Sequence, residues 1–276
     1  MNSPFINTSL RSSLGFATSL STEIPFLRIN DSSSILNVDA DITYVNGNFQ
    51  YQNAIQDWAS IWINAGGVSR IGTNTASIFL SGVTANTFFE AGMLFKIKEF
   101  QKSLFSTSFR IKNTNSTILS IYPFIRSIID STYYLGERNI VSSLNPLSGE
   151  IDLRVAFAPS KAWGMMSYVL GGYGENIESL EIKDRFNYEF GASANYNLNP
   201  GSNIPIAIGA GLKLNSSSPT LEYTKRLTQY YMIQLAYTGR EDFFLSFESL
   251  YSRIPVNYRD VTIDISSFGF SWAYYF

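Results

Sequence analysis

Along most of the chain, apolar and polar residues alternate one for one. Leu36, Val38, Ala40, Ile42 and Tyr44 are separated by Asn37, Asp39, Asp41 and Thr43, the period of a strand with one apolar and one polar face. Phe89, Ala91, Met93, Phe95 and Ile97 oppose Glu90, Gly92, Lys96 and Lys98, and after the short turn EFQK the run Phe105, Thr107, Phe109, Ile111 opposes Ser106, Ser108, Arg110 and Lys112. That pairing predicts a hairpin. Ile151, Leu153, Val155 and Phe157 alternate with Asp152 and Arg154 before the turn PSK. Tyr188, Phe190, Ala192, Ala194 and Tyr196 alternate with Glu189, Ser193 and Asn195, and the turn NPGSN leads into Ile204, Ile206, Ile208, Ala210, Leu212 and Leu214. Tyr231, Ile233, Leu235 and Tyr237 precede the turn TGRED, after which Phe243, Leu245, Phe247 and Tyr251 alternate with Ser246, Glu248 and Ser252.

A first strand over about 9–22 and a last one from about 261 bring the total to twelve, an even number, in one domain spanning 1–276. The facing of the segments near 56–69 and 162–174 stays open at this stage. In the last strand the phase set by Val261, Ile263 and Ile265 slips at Ser266 and Ser267, which suggests a bulge. With both termini on one side, the connections on that side are 46–55, EFQK, PSK, NPGSN and TGRED; those on the far side include 23–34, 71–86, 114–147, 174–182 and 215–226. Short turns therefore gather at one end and long loops at the other, with 46–55 and the brief last far-side loop as exceptions.

The chain ends SSFGFSWAYYF, with Phe268, Phe270, Trp272, Tyr274 and Phe276 on one face and Gly269, Ser271, Ala273 and Tyr275 on the other. These five aromatics resemble the C-terminal signature of bacterial outer-membrane β-barrel proteins. The resemblance implies an all-β, antiparallel up-and-down transmembrane barrel in the bacterial outer membrane. It also implies that this segment is recognised by the barrel-assembly machinery. Even strand number, short turns at one end, long loops at the other and apolar-out, polar-in alternation are the attributes of that class. A closed barrel leaves no unpaired strand edge in lipid, where each open backbone group would cost several kcal/mol. A soluble two-sheet protein and an eight-stranded ligand-binding barrel fit the pattern less well.

Composition narrows the chemistry. Hydrophobic residues make up 45% and charged residues 15% of the 276, yet the mean hydropathy is zero, so the two kinds are finely mixed. No segment is an apolar run of the roughly 20 residues a spanning helix needs; 71–89 is long enough but rich in Thr, Ser, Asn and Gly. The opening MNSPFINTSLRSS is not a secretory signal, so an exported protein would be in its mature form. A net charge of −2 gives no footprint for nucleic acid. The absence of His excludes a Ser–His phospholipase mechanism, and without His or Cys no metal site of those ligands exists. The expectation is no enzyme and no cofactor.

Projected inward, the polar faces carry Asp39, Asp41, Glu90, Asp152, Glu189, Glu248 and Asp264 against Lys96, Lys112, Lys213, Arg110, Arg154 and Arg240. The signs nearly balance. These groups either pair across strands to make a polar lumen or line a narrow passage for small polar solutes. The loop 114–147 holds Ile118, Ile121, Tyr122, Ile125, Ile128 and Ile129 at helical spacing over 116–130, with Pro123 against a long helix, and 75–85 is a second apolar stretch. Either could plug the mouth or meet a partner protein at the outer loops. The two functional expectations are a passive channel for small polar solutes, and a closed structural or accessory barrel whose outer loops bind a partner.

Overall fold

The computed structural model describes residues 4–19, 22–30, 33–40, 42–72, 82–119, 141–178, 181–216, 227–255 and 262–276. Its strands are β1 (Ser9–Ser19), β2 (Thr22–Asn30), β3 (Ser33–Ala40), β4 (Ile42–Gln56), β5 (Ala59–Gly72), β6 (Gly82–Glu99), β7 (Ser103–Leu119), β8 (Val141–Leu144), β9 (Leu147–Phe157) and β10 (Trp163–Glu178). There follow β11 (Glu181–Asn197), the short helix α1 (Asn199–Ser202), β12 (Ile206–Asn215), β13 (Thr228–Tyr237), β14 (Phe243–Pro255) and β15 (Thr262–Tyr275).

All but β2 and β3 join one sheet, in the order β6-β5-β4-β1-β15-β14-β13-β12-β11-β10-β9-β7-β8, and the pairing of β6 with β7 closes it into a ring. β8 and β9 both pair with β7, in step, so they are one wall strand interrupted at Asn145 and Pro146. Pro146 has no N–H for the ladder, and its carbonyl instead accepts from Thr114 N at 3.0 Å. The wall is thus a closed antiparallel barrel of 12 strands, as the alternation predicts.

Period two sets its faces. Leu14, Phe16, Phe109, Ile151, Val169, Phe190, Ile233 and Phe270 all stand on the outside, exposed, and their sequence neighbours point in. The terminal aromatics behave as expected: Phe268, Phe270, Trp272, Tyr274 and Phe276 are exposed, while Ala273 between them is 2% exposed. Phe247 of β14 meets both Phe268 and Phe270, at ring-centroid distances of 6.2 and 5.2 Å. An outer surface of this kind is stable against hydrocarbon and not against water. The two open facings resolve as well. Ile61 and Ile63 of β5 point out while Trp62 and Asn64 point in, and Trp163, Met165, Val169 and Tyr173 of β10 point out while Leu170 points in.

At the end carrying both termini the wall strands are joined through 57–58, 100–102, 158–162, 198–205 and 238–242; at the other end through 20–41, 73–81, 120–140, 179–180, 216–227 and 256–261. The exception at 46–55 disappears, because those residues belong to β4. The expected loop at 174–182 is largely strand, with Glu178 paired to Glu181. The loop expected at 114–147 is shorter: β7 continues through Leu119, so Ile118 is a strand residue, fully buried, and not part of a helical stripe. Residues 120–130 and 75–81 lie outside the described residues. The expected strand at 36–44 is two elements: 33–40 pairs with 22–30 in a separate two-stranded sheet, and β4 begins at Ile42. The bulge at Ser266 and Ser267 is absent, since β15 pairs with β14 without a shift from Tyr274 to Thr262. Register shifts in the wall occur instead near Ile55 and Ile97, beside the short turns, and near Thr84 at the other end.

Candidate functional site in the barrel interior

One side of the interior wall, from β6 to β12, is charged. Lys112 of β7 stands opposite Glu90 of β6 in the register, its Nζ 3.6 Å from the carboxylate, and Asn64 of β5 donates to the same carboxylate at 3.0 Å. Arg110 pairs with Glu150 across β7 and β9. Arg154 grips Asp152, two residues away on the same face, through Nε at 2.8 Å and Nη2 at 2.6 Å, and Ser108 completes the cluster by donating to Asp152 at 2.7 Å. Both charges are 4% exposed. Glu189 of β11 accepts from Tyr168 of β10 and, at 2.9 Å, from Asn215 of β12, with Lys213 at 3.3 Å. Lys213 also lies over the Tyr230 ring, 4.5 Å from its centroid. Glu248 on β14 accepts from Gln234 at 2.9 Å and Ser246 at 3.0 Å.

The facing wall is thin and mostly neutral. β15 contributes Ser267, Gly269, Ser271 and Ala273, and β1 contributes Ser13, Gly15 and Ala17 in register with them. β4 then presents Asn46, Asn48, Gln50 and Gln52, an amide at each of four successive inward positions. Near the end carrying the termini the interior is packed: Ser60, Trp62, Leu94, Leu104, Ser106, Ala236 and Ala273 are all buried. Pro4 is buried there too, and Gln52 Nε2 donates both to the Phe5 carbonyl at 2.9 Å and to Ser60 at 3.1 Å. The chain before β1 thus leans on the inward face of β4.

Eight of the thirteen residues expected to line the lumen point inward and sit in these networks: Glu90, Arg110, Lys112, Asp152, Arg154, Glu189, Lys213 and Glu248. Lys96 is at the rim, paired with Glu99 at 2.8 Å. Four expectations need correction or fall away. Arg240 lies in the turn 238–242, exposed, where it clasps Asp242; that contact holds Arg240 above and Asp242 below their ordinary pKa values. Asp264 shares the outer face with Phe268, because no bulge reverses the phase, and stands 3.5 Å from Arg253 of β14. Asp39 belongs to β3 and pairs with Glu23 of β2, so it is not a wall residue. Asp41 lies outside the described residues.

Glu150, Arg11, Arg70 and Arg185 also fall on inward positions and were missed. Glu150 and Arg185 share the parity of Asp152 and Glu189, so only strand boundaries drawn too short excluded them. The amide run was visible as NGNFQYQ but fell in an expected turn.

No protein-family profile matches the chain, and no curated protein sequence is similar to it. Solved structures are similar in shape. An outer membrane channel from Pseudomonas putida F1 superposes with a TM-score of 0.57 at 12% identity, covering 98% of this chain and 96% of that one. The translocator domain of the autotransporter NalP from Neisseria meningitidis gives 0.55 at 6% identity, covering 100% and 90%, and the NanC porin 0.50 at 7% identity, covering 97% and 98%. At such identities the likeness is one of fold, and the fold is that of integral outer-membrane β-barrels of Gram-negative bacteria.

Proposed function

We propose that the protein is a passive channel of the bacterial outer membrane, passing small polar solutes through a narrow lumen of mixed charge. One observation carries the reading: from β6 to β12 the inward face is lined by acids and bases that pair with one another, Lys112 with Glu90, Arg110 with Glu150, Arg154 with Asp152 and Lys213 with Glu189. Filling a barrel with ion pairs and amides contributes little to stability compared with apolar packing, whereas it keeps a path hydrated. The barrel from Pseudomonas putida that it resembles is an outer membrane channel, which agrees with this reading. Single-channel recording in planar bilayers tests it. Discrete current steps are expected, with weak cation–anion preference because the lumen charges are paired; silence at all voltages would refute conduction.

A second reading has its own observation. The packed end around Trp62, Leu94 and Leu104, with Gln52 holding the Phe5 carbonyl, favours a sealed accessory barrel whose outer connections bind a partner protein. A silent barrel that co-purifies with another envelope protein would put it first.

In either case membrane lipid contacts the aromatic belt, and β15 serves as the segment recognised by the barrel-assembly machinery. Deleting Phe276 is then expected to lower the amount inserted in cells more than the yield of refolding into detergent. Equal losses would reduce Phe276 to a packing role.

A further inference from the structure

Where β4, β5 and β6 meet, the interior wall carries side-chain oxygens that the ion-pair networks leave unanswered. Gly66 of β5 lies in register between Asn48 of β4 and Phe88 of β6. A Cβ at position 66 would come within 2.7 Å of both Phe88 Cζ and the Gly47 carbonyl oxygen, so the glycine allows the Phe88 ring to lie against the wall. Lys112 Nζ stands over that ring, 5.6 Å from its centroid. Around it are three amides, Asn48 beside Gly66, Asn64 two residues before Gly66, and Asn86 two residues before Phe88. The side-chain oxygens of all three are buried and meet no donor. Asn64, itself 6% exposed, cannot remedy this by turning over, because its nitrogen is committed to Glu90.

A buried oxygen without a donor is unfavourable, and three together on one wall are unusual. The nearby charges do not meet them: Glu90 is itself an acceptor, already held by Asn64, and the Lys112 ammonium stands between Glu90 and the Phe88 ring. An ionic solute would therefore find this stretch of lumen occupied, each charge answered by its neighbour. A hydroxyl group would supply what is missing, a donor for each unpaired oxygen that a small turn of its side chain brings to the lumen, and the Phe88 ring offers an apolar face for a C–H surface. A few aimed polar atoms around an aromatic platform is the usual composition of a small-molecule site. The geometry points to a binding site for neutral, hydroxyl-rich solutes, sugars or polyols, on the wall formed by Asn48, Asn64, Asn86 and Phe88. This deepens the channel reading and, as a transport site, rests on it.

The test compares sorbitol with gluconate, a carbon chain of the same length that bears a negative charge. Proteoliposomes of the full chain are expected to pass sorbitol faster than gluconate. The double variant Asn48→Leu with Asn86→Leu removes two unpaired oxygens and keeps the branched side-chain skeleton. It is expected to slow sorbitol about fivefold or more, the order for one or two lost hydrogen bonds, and to slow gluconate by a clearly smaller factor, because the carboxylate disfavours its approach to this acceptor-lined wall. An equal loss for both solutes, or faster passage of gluconate through the native barrel, would overturn the site. Heat-modifiable gel migration checks folding, and if the double variant does not fold, Phe88→Leu carries the same comparison. Ligand-detected saturation-transfer NMR in micelles separates this inference from conduction. Sorbitol binding that is lost in the variant, with no flux of any solute, would keep the site and end the channel; neither binding nor flux would end the site as well.

Discussion

Arg154 and Asp152 show what an interior charge requires here. They are two residues apart on one strand face, almost wholly buried, and satisfied by each other and by Ser108. Asp152→Ala leaves the guanidinium buried without its carboxylate and is expected to cost about 3–5 kcal/mol in urea unfolding from lipid. Replacing both, Asp152→Leu with Arg154→Met, is expected to cost clearly less than the single change. Gly191 has a different duty: a Cβ there would come within 2.2 Å of Tyr168 Cε1, so the glycine makes room for the ring that donates to Glu189. Gly191→Ala is expected to displace Tyr168 and lower stability by about 1–3 kcal/mol. In the exposed turn, the Asp242 carboxyl is held low by Arg240, so its ion pair persists above the ordinary carboxylate value and is lost as pH falls through the depressed folded value. An NMR titration is expected to show Asp242 returning to the ordinary carboxylate range in Arg240→Gln. Residue identity alone did not reveal these placements. Arg240 looked like a lumen charge because it is charged and near a strand, and Asp264 because two serines imitate a phase change. Only the ladder, continuous through Ser266 and Ser267, fixes which face Asp264 takes.

At the scale of elements, alternation was legible wherever one face meets apolar surroundings and the other the polar interior. β6 was readable from Phe89 to Ile97 but runs Gly82–Glu99; β7 was readable from Phe105 to Ile111 but runs Ser103–Leu119. A tilted strand needs about 9–11 residues to cross the hydrocarbon. Beyond that both faces of Asn113 to Thr117 can be polar, and the composition there is that of a loop although the hydrogen bonds are those of a sheet. The opposite error occurred at Leu36 to Tyr44, where an unbroken alternation spans two elements, since period two continues from a hairpin arm into a wall strand. Because β2 and β3 pair with each other and not with the wall, while Thr18 of β1 and Thr43 of β4 are already partners, the hairpin is dispensable for closure. Replacing 20–41 with a short Gly/Ser linker is expected to leave the β circular-dichroism spectrum and heat-modifiable migration intact. Loss of both would mean that the hairpin guides the pairing of β1 with β4.

For the whole molecule, the outward belt and the inward networks divide the labour: one side meets lipid, the other makes a polar interior tolerable. Phe190 and Glu189 are neighbours on β11 that take these two roles. Phe190→Arg is expected to cost about 2–4 kcal/mol if the site lies near the bilayer midplane, measured by unfolding from lipid vesicles. Glu189→Gln, which keeps an acceptor for Tyr168, is expected to cost less, and equal costs would reverse the assignment of faces. The first and last strands, β1 and β15, are neighbours in the ring, so residues far apart in sequence, such as Ser9 and Tyr275, are adjacent in the wall. Thus the barrel has no stable partial form: a chain that has yet to deliver 262–275 presents two raw edges, those of β1 and β14, and each would expose a row of unanswered backbone groups to the bilayer. Completeness is thereby checked by the membrane itself, since hydrocarbon admits the finished cylinder and rejects every shorter version of it.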